Sequence, residues 1–314
     1  MTKSIKRDPV QILSPLRYPG AKRRLSSYVA EALRINNLRP KLFVEPFAGG
    51  ASVALQLAEC DLVDKIALAE LDPLVAAFWK TVFDDTEWLL EALAELEVSV
   101  ENWDYFRENN FRSNRDRALA CIYLNRTSFS GILAPSAGPI GGRRQQSKYK
   151  IDCRFAYDTV KRRINQAAKL RDRVLFVDRA TWSETIEKVQ HLDYQSKEIF
   201  FYFDPPFYEA GPRLYTHYFT SEQHTELYKG LSEIKEPWLL SYDPAKPIVE
   251  MYSGNGWTPK RVSLLYSVAA SEELDDTQEL IVSNLPKLPT ATRVWRTSTE
   301  WRSLRGQNGK PKRK

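Results

Sequence analysis

The segment Asp204-Pro205-Pro206-Phe207 follows Ile199-Phe200-Phe201-Tyr202-Phe203, a run that is almost wholly apolar. Such a run fits a parallel strand buried on both faces. In open α/β sheets, ligands collect outside the carboxyl ends of these strands. Two successive prolines fix φ and remove two N–H donors, so the backbone carbonyls are left facing outward. A carboxylate and a carbonyl held there can accept both hydrogens of an –NH2 group, and the adjoining ring of Phe207 can stack on a planar base. The exocyclic amine of adenine is a poor nucleophile because its lone pair is delocalised into the ring. Accepting its hydrogens from two sides favours a pyramidal nitrogen and localises that pair for attack on a methyl sulfonium. This chemistry needs positioning and electrostatics and no covalent enzyme intermediate. The plainer alternative is a strand ended by a rigid turn that Asp204 caps.

Phe43-Val44-Glu45-Pro46-Phe47-Ala48-Gly49-Gly50 places two glycines where a strand turns into a helix. Glycines there let the backbone approach a ligand and aim N–H groups at it. Glu70 lies about twenty residues further on, close to Asp72, where nucleotide-binding folds hold an acid for ribose hydroxyls. The turn lacks the full G-x-G-x-x-G spacing, which disfavours a dinucleotide pyrophosphate and hence a nicotinamide oxidoreductase. A tight turn with a helix-capping acid would use the same residues. Two further segments carry polar chemistry. Leu16-Arg17-Tyr18-Pro19-Gly20-Ala21-Lys22 sets a cation and an aromatic around a Pro-Gly turn. Asn125-Arg126-Thr127-Ser128-Phe129-Ser130-Gly131 mixes amide, guanidinium, hydroxyl and ring groups suited to phosphate and base-edge contacts. Taken alone, each is also an ordinary surface loop.

The elements that must position these groups follow from periodicity. Lys41 to Val44 is expected as a strand, 51–59 as a helix and Lys65 to Leu68 as a second strand. Pro73 opens the next helix, which continues from Leu74 to Phe83. This β-turn-α alternation predicts a doubly wound α/β sheet. The stretch 84–124 reads as mostly helical. Residues 125–150 are rich in Gly, Ser, Pro and Arg and read as loops around a hairpin. A helix is expected over 158–169. Strands resume at Val174 to Val177 and Ile199 to Phe203, then at 237–241, 261–266 and 279–282. The sheet is therefore split by an insertion of about a hundred residues, within ordinary domain size.

Composition bounds the rest. The chain has 314 residues, of which 43% are hydrophobic, enough for a sizeable core. It has no apolar run long enough to span a bilayer and no secretory leader pattern, so no membrane partner is expected. Cys60, Cys121 and Cys153 are widely spaced and odd in number, which argues against disulfides and zinc. No metal is expected, and a reducing cytoplasm fits best. The net charge of +6 is compatible with nucleic acid. Basic residues cluster at Arg143, Arg144, Lys148, Lys150 and Arg154, again at 161–163, and in the tail beyond Pro286. Each cluster could equally be a solvated face.

In their order, these pieces resemble the Dam-like (D12 class) family of adenine-specific DNA methyltransferases. The carriers are Leu-Arg-Tyr-Pro-Gly-Ala-Lys at 16–22, Phe-Val-Glu-Pro-Phe-Ala-Gly-Gly at 43–50, Leu-Asn-Arg-Thr-Ser-Phe-Ser-Gly at 124–131 and Asp-Pro-Pro-Phe at 204–207. The resemblance implies a Rossmann-like class I methyltransferase fold with an inserted helical and hairpin target-recognition domain. It divides the chain into catalytic parts at 14–83 and 172–285, an insert at 84–171 and a basic tail at 286–314. It implies S-adenosylmethionine as cofactor, with Tyr18, Lys22, Glu45, Phe47, Gly49, Gly50, Glu70, Asp72 and Asp204 around it. Catalysis would fall to Asp204, Pro205, Pro206 and Phe207, with Phe207 stacked on a flipped adenine. The acid that holds the cofactor's adenine ring falls at Asp178 by proximity or at Thr181 by register. Double-stranded DNA would meet Arg126, Ser128 and Phe129 in the insert and Arg143, Arg144 and Lys148 beside it. A separately encoded restriction endonuclease is an allowed partner, in a prokaryotic or phage setting. Three positions depart from the family: Phe207 replaces the commoner Tyr, Ala21 a second Gly, and Glu70 the usual Asp. Methylation of RNA or of a protein amide, and a DNA-binding module without catalysis, remain as alternatives.

Overall fold

A computed structural model describes residues 14–17, 22, 25–254, 256–265 and 276–291. In chain order the elements are α1 (Leu25–Ile35), β1 (Leu42–Glu45), α2 (Ser52–Glu59), β2 (Lys65–Ala69), α3 (Pro73–Asp84), α4 (Thr86–Glu95), α5 (Val100–Glu108), α6 (Asn114–Thr127) and α7 (Tyr157–Ala168). These are followed by β3 (Val174–Asp178), α8 (Trp182–Gln190), β4 (Ile199–Phe203), the short α9 (Gly211–Leu214), α10 (Ser221–Glu233), β5 (Trp238–Tyr242), α11 (Lys246–Tyr252), β6 (Lys260–Leu265) and β7 (Asp276–Ser283).

The seven strands form one sheet in the order β3-β2-β1-β4-β5-β7-β6. The five strands from β3 to β5 are parallel, and β7 runs antiparallel between β5 and β6. The chain winds outward from β1 in one direction and from β4 in the other, so β1 and β4 flank the switch point of a Rossmann-like α/β fold. Their carboxyl ends carry the Glu45 and Asp204 segments, and register keeps these together. Val44 pairs with Phe201, which sets Glu45 beside Tyr202. Phe203 pairs with Leu240, which sets Asp204 beside Ser241.

Strand alternation sorts the core into two layers. Phe43, Phe200 and Tyr202 face α1–α3 and the inserted helices, with the rings of Phe43 and Phe200 stacked at 5.7 Å. Leu42, Val44, Phe201 and Phe203 face α8, α10 and α11. β4 is buried at all five positions, as its composition requires.

The inserted helices pack on the first layer, with α6 against α3 and α4 against α7. α6 shows little amphipathicity because it is buried on all sides along its second half, at every position from Ala120 through Thr127. This corrects two expectations. Asn125, Arg126 and Thr127 form the last helical turn and are not loop residues. The hairpin expected within 125–150 contracts to a single antiparallel bridge between Ser128 and Pro139, because prolines and glycines with positive φ at 141 and 142 interrupt any ladder. Of the expected basic tail, 292–314 lies outside the described residues, as does Tyr266 of the sixth expected strand. No helix among the described residues is long and apolar enough to cross a membrane.

Candidate active site

The glycine turn after β1 is built by three side chains. Gly49 adopts φ +44, which favours glycine, and Ala51 follows at φ +48 as the N-terminal boundary of α2. Glu70 Oε2 accepts from the Gly49 N–H at 2.9 Å, while Oε1 accepts from the Asp72 N–H at 3.1 Å. One carboxylate thereby fixes the turns after both β1 and β2. From α3, the buried Trp79 donates its indole N–H to the Gly49 carbonyl at 2.8 Å. Asp72 caps α3, with Oδ1 accepting from the Leu74 N–H at 2.8 Å and Pro73 at the first helical position. Trp79→Phe strands a buried carbonyl, which costs about 1–3 kcal/mol. Denaturant melts should show that loss, together with weaker binding of any ligand at the Gly49 turn.

An open cleft lies over this turn, enclosing about 770 Å3 of space that includes solvent at its mouth. Lys22, Glu45, Phe47, Gly49, Gly50, Glu70, Asp72 and Asp204, all expected near a cofactor, line it. Tyr18 lies outside the described residues. Pro206 lines the cavity and Pro205 is buried behind it. Phe207 stands at one side, with the Lys22 ammonium 4.5 Å from its ring centre and Tyr215 edge-on at 6.0 Å.

Asp204 belongs to a polar chain. Ser241 Oγ donates to Asp204 Oδ1 at 3.0 Å, and Lys22 Nζ meets the same oxygen at 3.0 Å. Having spent its one hydrogen, Ser241 accepts from the Tyr202 hydroxyl at 2.8 Å. Lys22 also reaches Glu279 Oε1 at 3.3 Å. The Lys22 and Glu279 side chains are each 2% exposed, and that of Asp204 is 23% exposed, so the carboxylate opens to the cavity while its counter-charge does not. Burial pushes the Asp204 carboxyl upward, against the pull of Lys22 and the Ser241 hydrogen bond. Both bonds fall on Oδ1, which orients Oδ2 away from them.

Burial also raises the other acids. Glu70 is pushed up to about 7, first by desolvation and then by Asp72. Glu45 is driven well above the carboxylate range by desolvation, against the Ala54 N–H that donates to its Oε1 at 3.0 Å. Asp72 is raised by desolvation, opposed by its bond from Leu74.

Sequence reasoning missed Tyr202, Ser241 and Glu279. Tyr202 carries the only hydroxyl in an apolar strand, and Glu279 is an acid in a strand buried from there to Val282. Both are signals of a buried polar network. Nothing in the local sequence marks Ser241, since only strand register brings it to Asp204. Asp243 was likewise not singled out. It accepts from the Tyr208 and Glu209 N–H groups at 2.8 and 3.3 Å and so fixes the turn after Phe207.

The residues expected at DNA divide. Phe129 is 68% exposed, and Arg143, Arg144 and Lys148 are exposed, with Arg143 paired to Asp104 at 2.8 Å. Arg126 and Ser128 do not present surface contacts, which corrects the expectation for both. Arg126 is 5% exposed and donates to the Pro15 carbonyl. Ser128 is fully buried and accepts from the Trp103 indole N–H at 3.0 Å. The physical reason is the extension of α6 through residue 127, which draws this segment into the core. Asp178 pairs with Lys188 at 2.5 Å and Thr181 caps α8, so each has a local structural partner.

The sequence of the chain matches the family described as D12 class N6 adenine-specific DNA methyltransferase over residues 18–266. The chain belongs to this family. The D12 match runs from the Lys22 segment through the glycine turn, the inserted helices and Asp204 to the end of β6, so every part of the site but Glu279 lies within it. Among curated proteins, the chain is similar to the Type II methyltransferase M.MjaIII of Methanocaldococcus jannaschii, with 24% identity over 133 residues. That alignment covers 37% of this chain and 46% of the relative, so it spans less than half the relative's length. Among solved structures, the precorrin-6y C5,15-methyltransferase of Geobacter metallireducens GS-15 aligns over 82% of this chain and 85% of its own, with 10% identity and a TM-score of 0.36. Membership of the D12 family implies a methyl donor.

Proposed function

We propose that this chain is a sequence-specific DNA adenine N6-methyltransferase that uses S-adenosylmethionine. The observation that carries the reading is the setting of Asp204. It sits at the carboxyl end of β4, oriented through Oδ1 by Lys22 and Ser241, partly open to the cavity and beside the Phe207 ring.

The residues present suit that cofactor. The acids Glu70 and Asp72 face the cavity where ribose hydroxyls would donate, the Gly49 turn permits close backbone approach, and Phe47 offers an apolar wall. Glu45 Oε2 is buried without a partner among the described residues, a polar atom that a ligand's amino or carboxyl end would satisfy. When bound, S-adenosylmethionine supplies a methyl group on a positively charged sulfur.

The chain's own groups act on the amine. Asp204 accepts one amine hydrogen, and the backbone carbonyl of the two-proline turn accepts the other. Burial raises the proton affinity of Asp204 and makes it a stronger acceptor. Lys22 keeps the carboxylate ionised from behind, and Ser241, held in turn by Tyr202, prevents it from rotating. Phe207 stacks on the extruded base at a cost of unstacking that binding must offset. Residues 84–171 would form the target-recognition insert. With a DNA substrate, the reading places the protein in the cytoplasm of a prokaryotic or phage-infected cell. Similarity to a Type II methyltransferase supports a restriction–modification role with a separately encoded endonuclease.

Competition among duplex DNA, RNA and protein for labelled methyl groups tests this function. Label is expected in DNA, and label confined to RNA or protein would refute it. A pH dependence follows from Glu70. Its folded value near 7 exceeds the ordinary 4.5, so the folded state binds more protons between them. Its contribution to stability therefore falls as pH rises from about 4.5 to about 7 and is constant above. Ionised Glu70 is the better acceptor for ribose hydroxyls, so cofactor affinity should rise as pH approaches about 7 and level off above it. In Glu70→Gln, titration calorimetry from pH 6 to 8 should show that step removed. An unchanged step would assign it elsewhere.

A further inference from the structure

We propose that Arg17, Arg154 and Arg163, backed by Arg126, form a seat for one backbone phosphate of the DNA duplex, apart from the cofactor cavity. None of the four lines that cavity. Arg126 lies at the floor, buried, its Nη2 donating to the Pro15 carbonyl. Arg163 on α7 donates to the Ser14 carbonyl at 3.3 Å. Arg17 is half-buried, with its backbone clasped by Asn125, whose Oδ1 accepts from the Arg17 N–H at 2.7 Å while Nδ2 donates to the Arg17 carbonyl at 3.1 Å. Arg154 is exposed at the rim. The group is built in depth, from solvent to core.

Three of the four charges are unbalanced among the described residues. Arg17, Arg126 and Arg154 make no ion pair there, and Arg17 Nη1 and Arg126 Nε are buried polar atoms without a hydrogen-bond partner. The guanidinium groups feel one another. Arg126 is lowered to about 9 by burial first, then by Arg163 and Arg17, and Arg17 is lowered by burial and then by Arg154. Buried charge of one sign is costly unless an opposite charge meets it. A planar fork of N–H donors fits phosphate oxygens best. The location selects a nucleic-acid source. Gly131 has φ +76, and a Cβ there would come within 2.2 Å of the Arg17 carbonyl, so Arg17 is pressed against the turn that carries the exposed Phe129. The proposal rests on the DNA-methyltransferase reading and adds one defined contact to it.

The test uses the full chain with saturating S-adenosylmethionine and a duplex that it methylates, and measures duplex affinity against potassium chloride concentration. Arg154→Gln, at an exposed position, and Arg17→Gln should each flatten the slope of log affinity against log salt by about one. Arg17→Lys and Arg154→Lys should keep most of it, and cofactor affinity should not change. Inorganic phosphate at constant ionic strength forms a second arm. Unchanged salt slopes in the folded Gln variants overturn the seat for DNA, including the case in which inorganic phosphate alone stabilises the wild type. Methyl transfer by the wild type in the same preparation separates the two claims. Absence of transfer counts against the proposed function, and normal transfer with unchanged slopes counts against the seat only.

Discussion

Asp204→Ala should lower methyl transfer by about a hundredfold to a thousandfold, the scale seen when a preorganised hydrogen-bonding group is removed from a site of developing charge. The variant loses the side-chain acceptor for the amine, and Lys22 turns wholly toward Glu279, 3.3 Å away. Single-turnover rates with saturating cofactor and duplex isolate the chemical step. Cofactor and duplex affinities should change much less, because the glycine turn is fixed by Glu70 and Trp79 and does not depend on Asp204. Asp204→Asn keeps one oxygen acceptor and should fall between the wild type and Ala. A rate for Asp204→Ala near that of the wild type would remove Asp204 from the chemistry.

Lys22→Met should produce the largest loss of stability. It takes away the ammonium held between Asp204 and Glu279, so that each of these carboxylates loses that ion pair. Breaking a buried ion pair from one side costs about 3–5 kcal/mol. The sign of the pH effect follows. Without Lys22 the Asp204 carboxyl shifts further upward, so the folded variant holds more protons than the unfolded chain. Its stability deficit should therefore shrink as pH is lowered and be greatest above neutrality. Denaturant midpoints at pH 5.5 and pH 8 check this. An equal deficit at both values would show that packing of the lysine stem, and not its charge, is what matters.

The strands and the turns after them were legible in the sequence for one reason. Ile199 to Phe203 is buried on both faces, and Leu42 to Glu45 likewise, so their composition alone identifies them. Glu70 and Asp72 were legible by their spacing from the glycines. The partners of Asp204 were not. Ser241 is 37 residues away and meets Asp204 only through the register of β4 on β5, and Glu279 reaches Lys22 from a strand that runs the opposite way. Long-range register leaves no local pattern. The segment 125–131 was misread for a different reason. A helix buried on all sides lacks the apolar stripe that identifies a surface helix, and the polar residues Asn125, Arg126 and Ser128 suggested exposure. Each instead satisfies backbone or indole groups inside the core, at Arg17, Pro15 and Trp103. Helices α1, α8, α10 and α11 were left unassigned because the motifs gave them no role.

The identity of the methylated atom tests the central claim most directly. Duplex DNA incubated with the protein and S-adenosylmethionine carrying a labelled methyl group would be digested to nucleosides and separated. The arrangement of Asp204, the two-proline turn and Phe207 predicts label on N6 of adenine at a defined sequence, and far slower labelling with Asp204→Ala. Label on another base, or no label in DNA while the cofactor is bound, would contradict it.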